Sequence, residues 1–167
     1  MGAGAVNAAV TIRRYAPADL DAVLGVFRAS IEGLAAEHYN SEQRAAWMAA
    51  ADDACAFGKM LEKQSVLLAV MDGEAVGVAS RAGGLLDVLY VAPQAARAGV
   101  ASKLCDALES EAVEAGFNEM RTEASDAARA FFARRGYAAA KRNVHVRKGV
   151  QLENTTMIKR LDVEVPA

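Results

Sequence analysis

The chain has 167 residues, 53% hydrophobic and 24% charged, with a formal net charge of −2, the composition of a single globular domain with a core of its own. With no long run of Lys or Arg, four tyrosines and one tryptophan, it lacks the basic footprint of a nucleic-acid binder. The apolar runs are strand-sized and the first residues carry no basic n-region. The two cysteines, Cys55 and Cys105, offer neither a disulfide framework nor metal-ligand spacing, so no membrane span, no metal and a reducing, cytoplasmic setting are expected.

In chain order, residues 1–9 read as a flexible tail and residues 10–167 as one domain. A first strand is predicted over 10–14, closed by Pro17. Asp19 is placed as the cap of a helix in which Leu20, Val23, Leu24 and Phe27 recur at helical spacing, continuing through Ile31 and Leu34 towards His38. Further helical stretches follow at 41–47 and 55–61. The period then changes. Residues 65–71 and 75–80 are β-rich and flank Asp72-Gly73, a hairpin signal, because Gly accepts positive φ freely. Gly83-Gly84 turns the chain into a third run, 85–91, ended by Pro93.

Beyond Pro93, Val100, Leu104, Leu108 and Ala112 share one helix face, and Gly116 suits the C′ position. A strand over 119–123 comes next. Ser125 or Asp126 is expected to cap a helix over 127–135 that Gly136 ends. Strands over 137–146 and 152–162 complete the chain. A mixed α/β arrangement, with one sheet covered by helices on both faces, is the economical packing for this order.

The chemistry concentrates in the strand at 85–91 and the helix start after it. Gly99 and Ala101 carry little or no side chain, and Arg97 adds a fixed charge. Free amides at a helix start, aided by the helix dipole, make an anion site. The competing reading is a strand–turn–helix unit whose small residues serve only tight packing.

Leu89-Tyr90-Val91-Ala92-Pro93 followed by Arg97-Ala98-Gly99-Val100-Ala101 resembles the acyl-CoA motif Q/R-x-x-G-x-G/A of the GNAT superfamily, with Ala96 departing from its opening position. The segment from Thr122 through Phe132 to Tyr137 is similar to that family's fifth strand, fourth helix and following strand. His38-Tyr39-Asn40 with Gln43 and Trp47 resembles a bacterial subgroup of small acetyltransferases. The resemblance implies a central, mostly antiparallel sheet of six to seven strands, splayed between the fourth and fifth. It also implies transfer of acetyl from acetyl-CoA to a primary amine, on a small molecule or a peptide, by direct attack in a ternary complex. A homodimer is compatible with it.

By the same resemblance the acyl carbonyl lies near the Val91 amide, alongside Leu89 and Tyr90. The pyrophosphate rests on the amides of Arg97, Ala98, Gly99, Val100 and Ala101, with Ser102 and Lys103 nearby. Ser125, Ala128, Phe131, Phe132 and Arg135 flank the cofactor from the other side, and His38, Tyr39 and Trp47 line the acceptor pocket. Many family members carry a tyrosine acid where this chain has Phe132.

Candidates for proton transfer are Asp87, taken to share a face with Leu89 by strand alternation, Glu123, Tyr90 and His38. Each has a plainer reading: a paired strand-edge carboxylate for Asp87, a helix cap for Glu123, sheet packing for Tyr90, an ordinary surface residue for His38. Cys105 reads as core and His145 as structural. Lys141-Arg142, Arg147-Lys148 and the acidic face Glu109, Glu111 and Glu114 read as solvated. The alternatives to an enzyme are a catalytically silent acyl-CoA-binding sensor or partner-binding module and, more remotely, a nucleotide-binding domain, against which the missing G-x-x-x-x-G-K-[ST] loop counts.

Overall fold

The computed structural model describes residues 9–33 and 39–162. A seven-stranded sheet runs in the order β1-β2-β3-β4-β5-β7-β6, built from β1 (Thr11–Arg14), β2 (Ser65–Met71), β3 (Glu74–Ala82), β4 (Leu85–Val91), β5 (Glu119–Ser125), β6 (Ala138–Arg147) and β7 (Val150–Arg160). All neighbours pair antiparallel except β4 and β5. The helices are α1 (Leu20–Gly33), α2 (Ser41–Met48), α3 (Ala54–Glu62), α4 (Val100–Glu114) and α5 (Arg129–Arg134). Among the described residues, no helix is long and apolar enough to cross a membrane.

Helices cover both faces of the sheet, and β2 shows why. Val66 and Leu68 join the cluster under α1 and α3, while Leu67 and Ala69 join the one under α4. A strand buried on both sides alternates between two cores and so reads as one continuous apolar run. The β2–β3 turn takes the expected form, with Asp72 (φ 51°) and Gly73 (φ 78°) both left-handed, the geometry whose twist matches a two-residue hairpin. At the far end of α4, Gly116 (φ 93°) is the C′ residue. There the Phe117 N–H donates to the Ala112 carbonyl at 2.9 Å and the Gly116 N–H to Val113 at 3.0 Å, a Schellman pair.

Two helix starts differ from expectation. Asp19 does not cap α1. It closes a 3-10 turn at Pro17–Asp19, accepting the Ala16 N–H at 2.8 Å and both Arg13 Nη groups at 2.8 and 2.9 Å, because that guanidinium is within reach on β1. Nor do Ser125 or Asp126 cap α5, which begins at Arg129 with no side-chain cap. Residues 126–128 form a turn first, and the Asp126 carboxylate is drawn to Arg142 instead. The stretch expected to carry α1 on to His38 lies outside the described residues.

Close contacts set where α4 and α1 sit. A Cβ on Gly77 of β3 would come within 2.7 Å of Val100 and 3.1 Å of Leu104, so Gly there lets the first turn of α4 lie flat on the sheet. A Cβ on Gly33 would come within 2.6 Å of the Pro93 ring, which presses the end of α1 against the loop leaving β4.

Candidate active-site cleft

A cleft of about 510 Å³ opens between the C-terminal half of β4, the start of α4, and α5, within the size range of small-molecule sites. Its mouth is main chain. The first bond at this end of α4 is Lys103 N–H to the Gly99 carbonyl at 3.1 Å, which leaves the amides of residues 99–102 without helical partners. Gly99 (φ 75°) and Arg97 (φ 66°) are both left-handed. For a non-glycine residue that conformation costs roughly 1 kcal/mol and is kept where the surroundings demand it. A Cβ on Gly99 would meet no protein atom within 4 Å, so it would project into the open mouth.

Of the residues expected at the cofactor, Leu89, Tyr90, Val91, Arg97, Gly99, Val100, Ala101, Ser102, Ser125, Ala128 and Phe131 line this cleft. Ala98 and Lys103 are exposed beside it. Arg135 is a correction: its guanidinium turns to Asp106 at 2.8 Å and Glu109 at 2.7 Å on α4, while its neighbour Arg134 faces the cleft. On a helix, adjacent residues point about 100° apart, so one position decides between an ion pair and a ligand site. Ser30 and Ile31 of α1 also line the cleft. Nothing local in the sequence marks them, because they arrive through the Gly33–Pro93 contact.

The inner end of the cleft is a fork. β4 and β5 pair only at Leu85–Arg121 and Leu86–Thr122, tied by the Thr122 hydroxyl donating to the Leu86 carbonyl at 3.1 Å. Beyond that the strands separate. The Ala92 N–H donates to Val76 of β3 at 2.8 Å. Since donors alternate sides along a strand, the Val91 N–H faces the opening towards β5.

Asp87 and Glu123 stand at this fork, in an inner cavity of about 50 Å³ that adjoins the cleft and shares Trp47, Leu89, Tyr90, Ser125 and Ala128 with it. Strand alternation, however, does not hold at Asp87. Ser80 pairs with Val88 and Arg81 with Leu86, so Asp87 is the unpaired residue of a β-bulge. Leu86 consequently shares a cluster with Leu89, while Val88 belongs to the other one; a bulge shifts facing by one residue. Asp87 accepts one hydrogen bond, from Gln64 Nε2 at 2.8 Å. Glu123 is not a helix cap: it accepts from Asn143 Nδ2 at 2.9 Å and Thr156 Oγ1 at 2.6 Å.

Tyr90 packs edge-on against Phe27 and accepts from Trp47 Nε1 at 3.2 Å. Burial, the largest effect, pushes its phenol up to about 12. Trp47 lines both cavities. Tyr39 is a correction: it is 4% exposed, and its hydroxyl accepts the Asp126 N–H at 2.8 Å and donates to the Glu153 carbonyl at 3.4 Å, so it ties α2 to the sheet. Phe132, 2% exposed, stacks edge-on with Phe131 and Tyr137 and touches only the inner cavity. His38 lies outside the described residues.

Several side chains expected to be solvated are paired. Glu109 is 8% exposed and accepts from Arg135, Lys159 and Tyr137. Glu111 takes Arg14 at 2.8 Å and Ser65 Oγ at 2.7 Å. Arg142 bridges Asp126 at 2.6 Å and Glu153 at 3.1 Å. Their partners lie 11 to 97 residues away in the chain, beyond any local pattern. Cys105 is fully buried and burial raises its thiol to about 12, as a core residue. His145 is exposed on β6, where a surface position replaces the structural role expected.

Residues 35–161 match the family model described as an acetyltransferase (GNAT) domain. An uncharacterised N-acetyltransferase of Escherichia coli K12, YafP, is 33% identical over 133 residues, covering 79% of this chain and 83% of that protein. Among solved structures, a GCN5-related N-acetyltransferase from Rhodopseudomonas palustris superposes with a TM-score of 0.88 at 42% identity, covering 90% of this chain and 95% of that one. The PaiA N-acetyltransferase of Thermoplasma acidophilum, solved in complex with coenzyme A, shares the fold with a TM-score of 0.75 at 18% identity, covering 91% of this chain and 99% of that one.

Proposed function

Because this chain belongs to the GNAT family of N-acetyltransferases, we propose that it transfers acetyl from acetyl-CoA to a primary amine by direct attack within a ternary complex at the β4–β5 fork. The observation that carries this reading is one continuous opening. The partnerless amides of residues 99–102 lie at its outer end, and the Val91 N–H turns into it where β4 and β5 separate.

The residues fit the cofactor by chemistry and by size. Amides 99–102, the dipole of α4, Arg97 and Arg134 suit a pyrophosphate. The apolar walls at Leu89, Val100 and Phe131 suit a pantetheine arm. Bound acetyl-CoA supplies the acyl thioester. The Val91 N–H is placed to donate to the oxyanion that develops on the acyl carbon, and because it is main chain it needs no reorganisation. Asp87, with a single neutral partner in Gln64, takes the proton from the incoming ammonium, directly or through a water.

The leaving thiolate needs no side-chain acid. Phe132 has no proton to give. A Tyr90 phenol near 12 is a poorer acid than a thiol near 8.5, a gap of roughly 5 kcal/mol against transfer. The sulfur therefore leaves as the thiolate, a stable anion for a thiol of about 8.5, and regains its proton by exchange with bulk solvent.

The experiment is a calorimetric titration with acetyl-CoA of the purified protein and of Arg97→Glu, alongside thiol release across a panel of amines. Binding weakened in the variant, together with amine-dependent thiol release, supports the proposal. Acetyl-CoA binding without thiol release for any amine would instead favour the silent binding module, which the proton-free Phe132 position recommends. No binding at all removes both.

A further inference from the structure

Leu86 and Thr122 are the last residues at which β4 and β5 pair, and the next residue on each strand is a carboxylate. Asp87 and Glu123 therefore follow directly where the strands part, and both line the inner cavity, Asp87 leaning to Gln64 on the β2–β3 side and Glu123 to Asn143 and Thr156 on the β6–β7 side. The cavity's remaining walls are apolar or neutral, with the Trp47 and Tyr90 rings among them, and no described Lys, Arg or His lines it. Aromatic faces beside carboxylates are a favourable setting for an organic cation.

The hydrogen-bond partners of both carboxylates leave their charge in place. Gln64 on Asp87, and Asn143 and Thr156 on Glu123, are neutral, and Arg121 comes only to 3.8 Å of Glu123 from an exposed position. On the same flank, Arg142 is already shared between Asp126 and Glu153. The outer mouth has the opposite sign, carrying Arg97 and Arg134. The opening is thus polarised along its length, cationic where phosphates fit and anionic at the fork.

We propose that the fork selects dicationic acceptors: amines bearing a second ammonium or guanidinium group a few bonds from the one acetylated, with one cationic group seated at each carboxylate. This rests on acetyl transfer occurring at the same cleft. The acceptor enters as an alkylammonium and gives one proton to the Asp87 carboxylate or to a water it holds. The freed nitrogen lone pair forms the C–N bond, the C–S bond breaks, and the electron pair left on sulfur takes up a proton. The net products are the amide, the CoA thiol and one released proton. The second cation stays charged at Glu123. An acceptor carrying a carboxylate in its place brings a third negative charge to a cavity that no described Lys, Arg or His lines, and like-charge juxtaposition of this kind is an effective means of rejection.

The test compares diaminobutane, butylamine and γ-aminobutyrate, matched in chain length and different in the second group. With saturating acetyl-CoA, kcat/KM per amino group is expected to fall about tenfold from diamine to monoamine and about tenfold again to the amino acid. Glu123→Gln and Asp87→Asn should each bring the diamine-to-monoamine ratio towards one. Acetyl-CoA affinity in both variants, measured by calorimetry, should remain within about twofold of the parent, reporting an intact fold and mouth.

Turnover of γ-aminobutyrate equal to that of the diamine, or an unchanged ratio in both variants, would overturn the proposal while leaving acetyl transfer standing. A calorimetric titration of the CoA-saturated protein separates the two ideas from the other side. Diamine binding in preference to γ-aminobutyrate, with no thiol release from any amine, would support the selective fork and remove the transferase reading. Equal or absent binding of both, with no preference in turnover, would overturn the fork.

Discussion

The two ends of the cleft are built from different materials. The mouth is main chain: amides 99–102 at the start of α4, held open by left-handed Arg97 and Gly99. The fork is side chain: Asp87, Glu123, Trp47 and Tyr90, brought together by a bulge in β4, a two-residue parallel pairing and the β6–β7 hairpin. A main-chain site tolerates sequence departures, since any residue supplies an N–H. That is why Ala96 can stand at the motif's opening position without closing the mouth. A side-chain site has no such tolerance. Each member depends on register, and one inserted residue turns it to the other face.

The largest expected effect tests the support beneath both ends. Glu109 of α4 holds Arg135, next to α5, and Lys159 of β7. Glu109→Ala would leave Lys159 without this carboxylate and Arg135 with only the exposed Asp106, in a mostly buried place, at a cost of about 3 kcal/mol. For a chain of this size that is a drop of about 10 °C in Tm by thermal unfolding. If Glu109→Ala instead unfolds within about 2 °C of the parent, the cluster is not what braces α4 against the sheet.

Arg97→Glu acts on the mouth alone. We expect acetyl-CoA affinity to fall about thirtyfold, roughly 2 kcal/mol, with thermal stability nearly unchanged because Arg97 is exposed. An equal loss in amine discrimination would break the distinction between the two ends.

Thr122→Val acts on the fork alone. It removes the hydroxyl that satisfies the Leu86 carbonyl, at a cost of about 1 kcal/mol. The expected outcome is a lower midpoint in urea, with kcat/KM reduced and acetyl-CoA affinity retained.

The smallest effect lies outside both ends. Arg13, followed by the Ala16 N–H, holds the Asp19 carboxyl down to about 2 from 3.8. A depressed folded value stabilises above the unfolded one, and the contribution is lost as pH falls from about 4 towards 2. The exposure of Arg13 limits it to about 0.5 kcal/mol. Asp19→Asn should therefore lower stability slightly at neutral pH and hardly at all at pH 2, with no change in ligand binding at neutral pH.

Legibility in the sequence follows the same division. The strands at 65–71 and 85–91 coincide with β2 and β4 end to end, because apolar runs between Asp-Gly, Gly-Gly and Pro punctuation are local signals. Gly99 and Ala101 announced the mouth for the same reason. Asp87 and Glu123 could be named as carboxylates near the site, but the facing of Asp87 could not be derived, since a bulge leaves no mark in period-two alternation. Tyr39, Arg135 and Arg142 were misplaced because each is oriented by a partner elsewhere in the chain: Asp126 and Glu153 for Tyr39, Glu109 for Arg135, Asp126 and Glu153 for Arg142.

The sequence by itself determined the element order, the two-faced burial of the central strands and the small-residue helix start that leaves its amides open, because these depend on residues within a few positions of one another. Only the tertiary structure decided which of Arg134 and Arg135 meets the cleft, that Glu109 is buried rather than solvated, and that Asp87 and Glu123 line one cavity where β4 and β5 part. Such facts are set by strand register and by pairs distant in the chain, whose energies arise only when the whole sheet has closed.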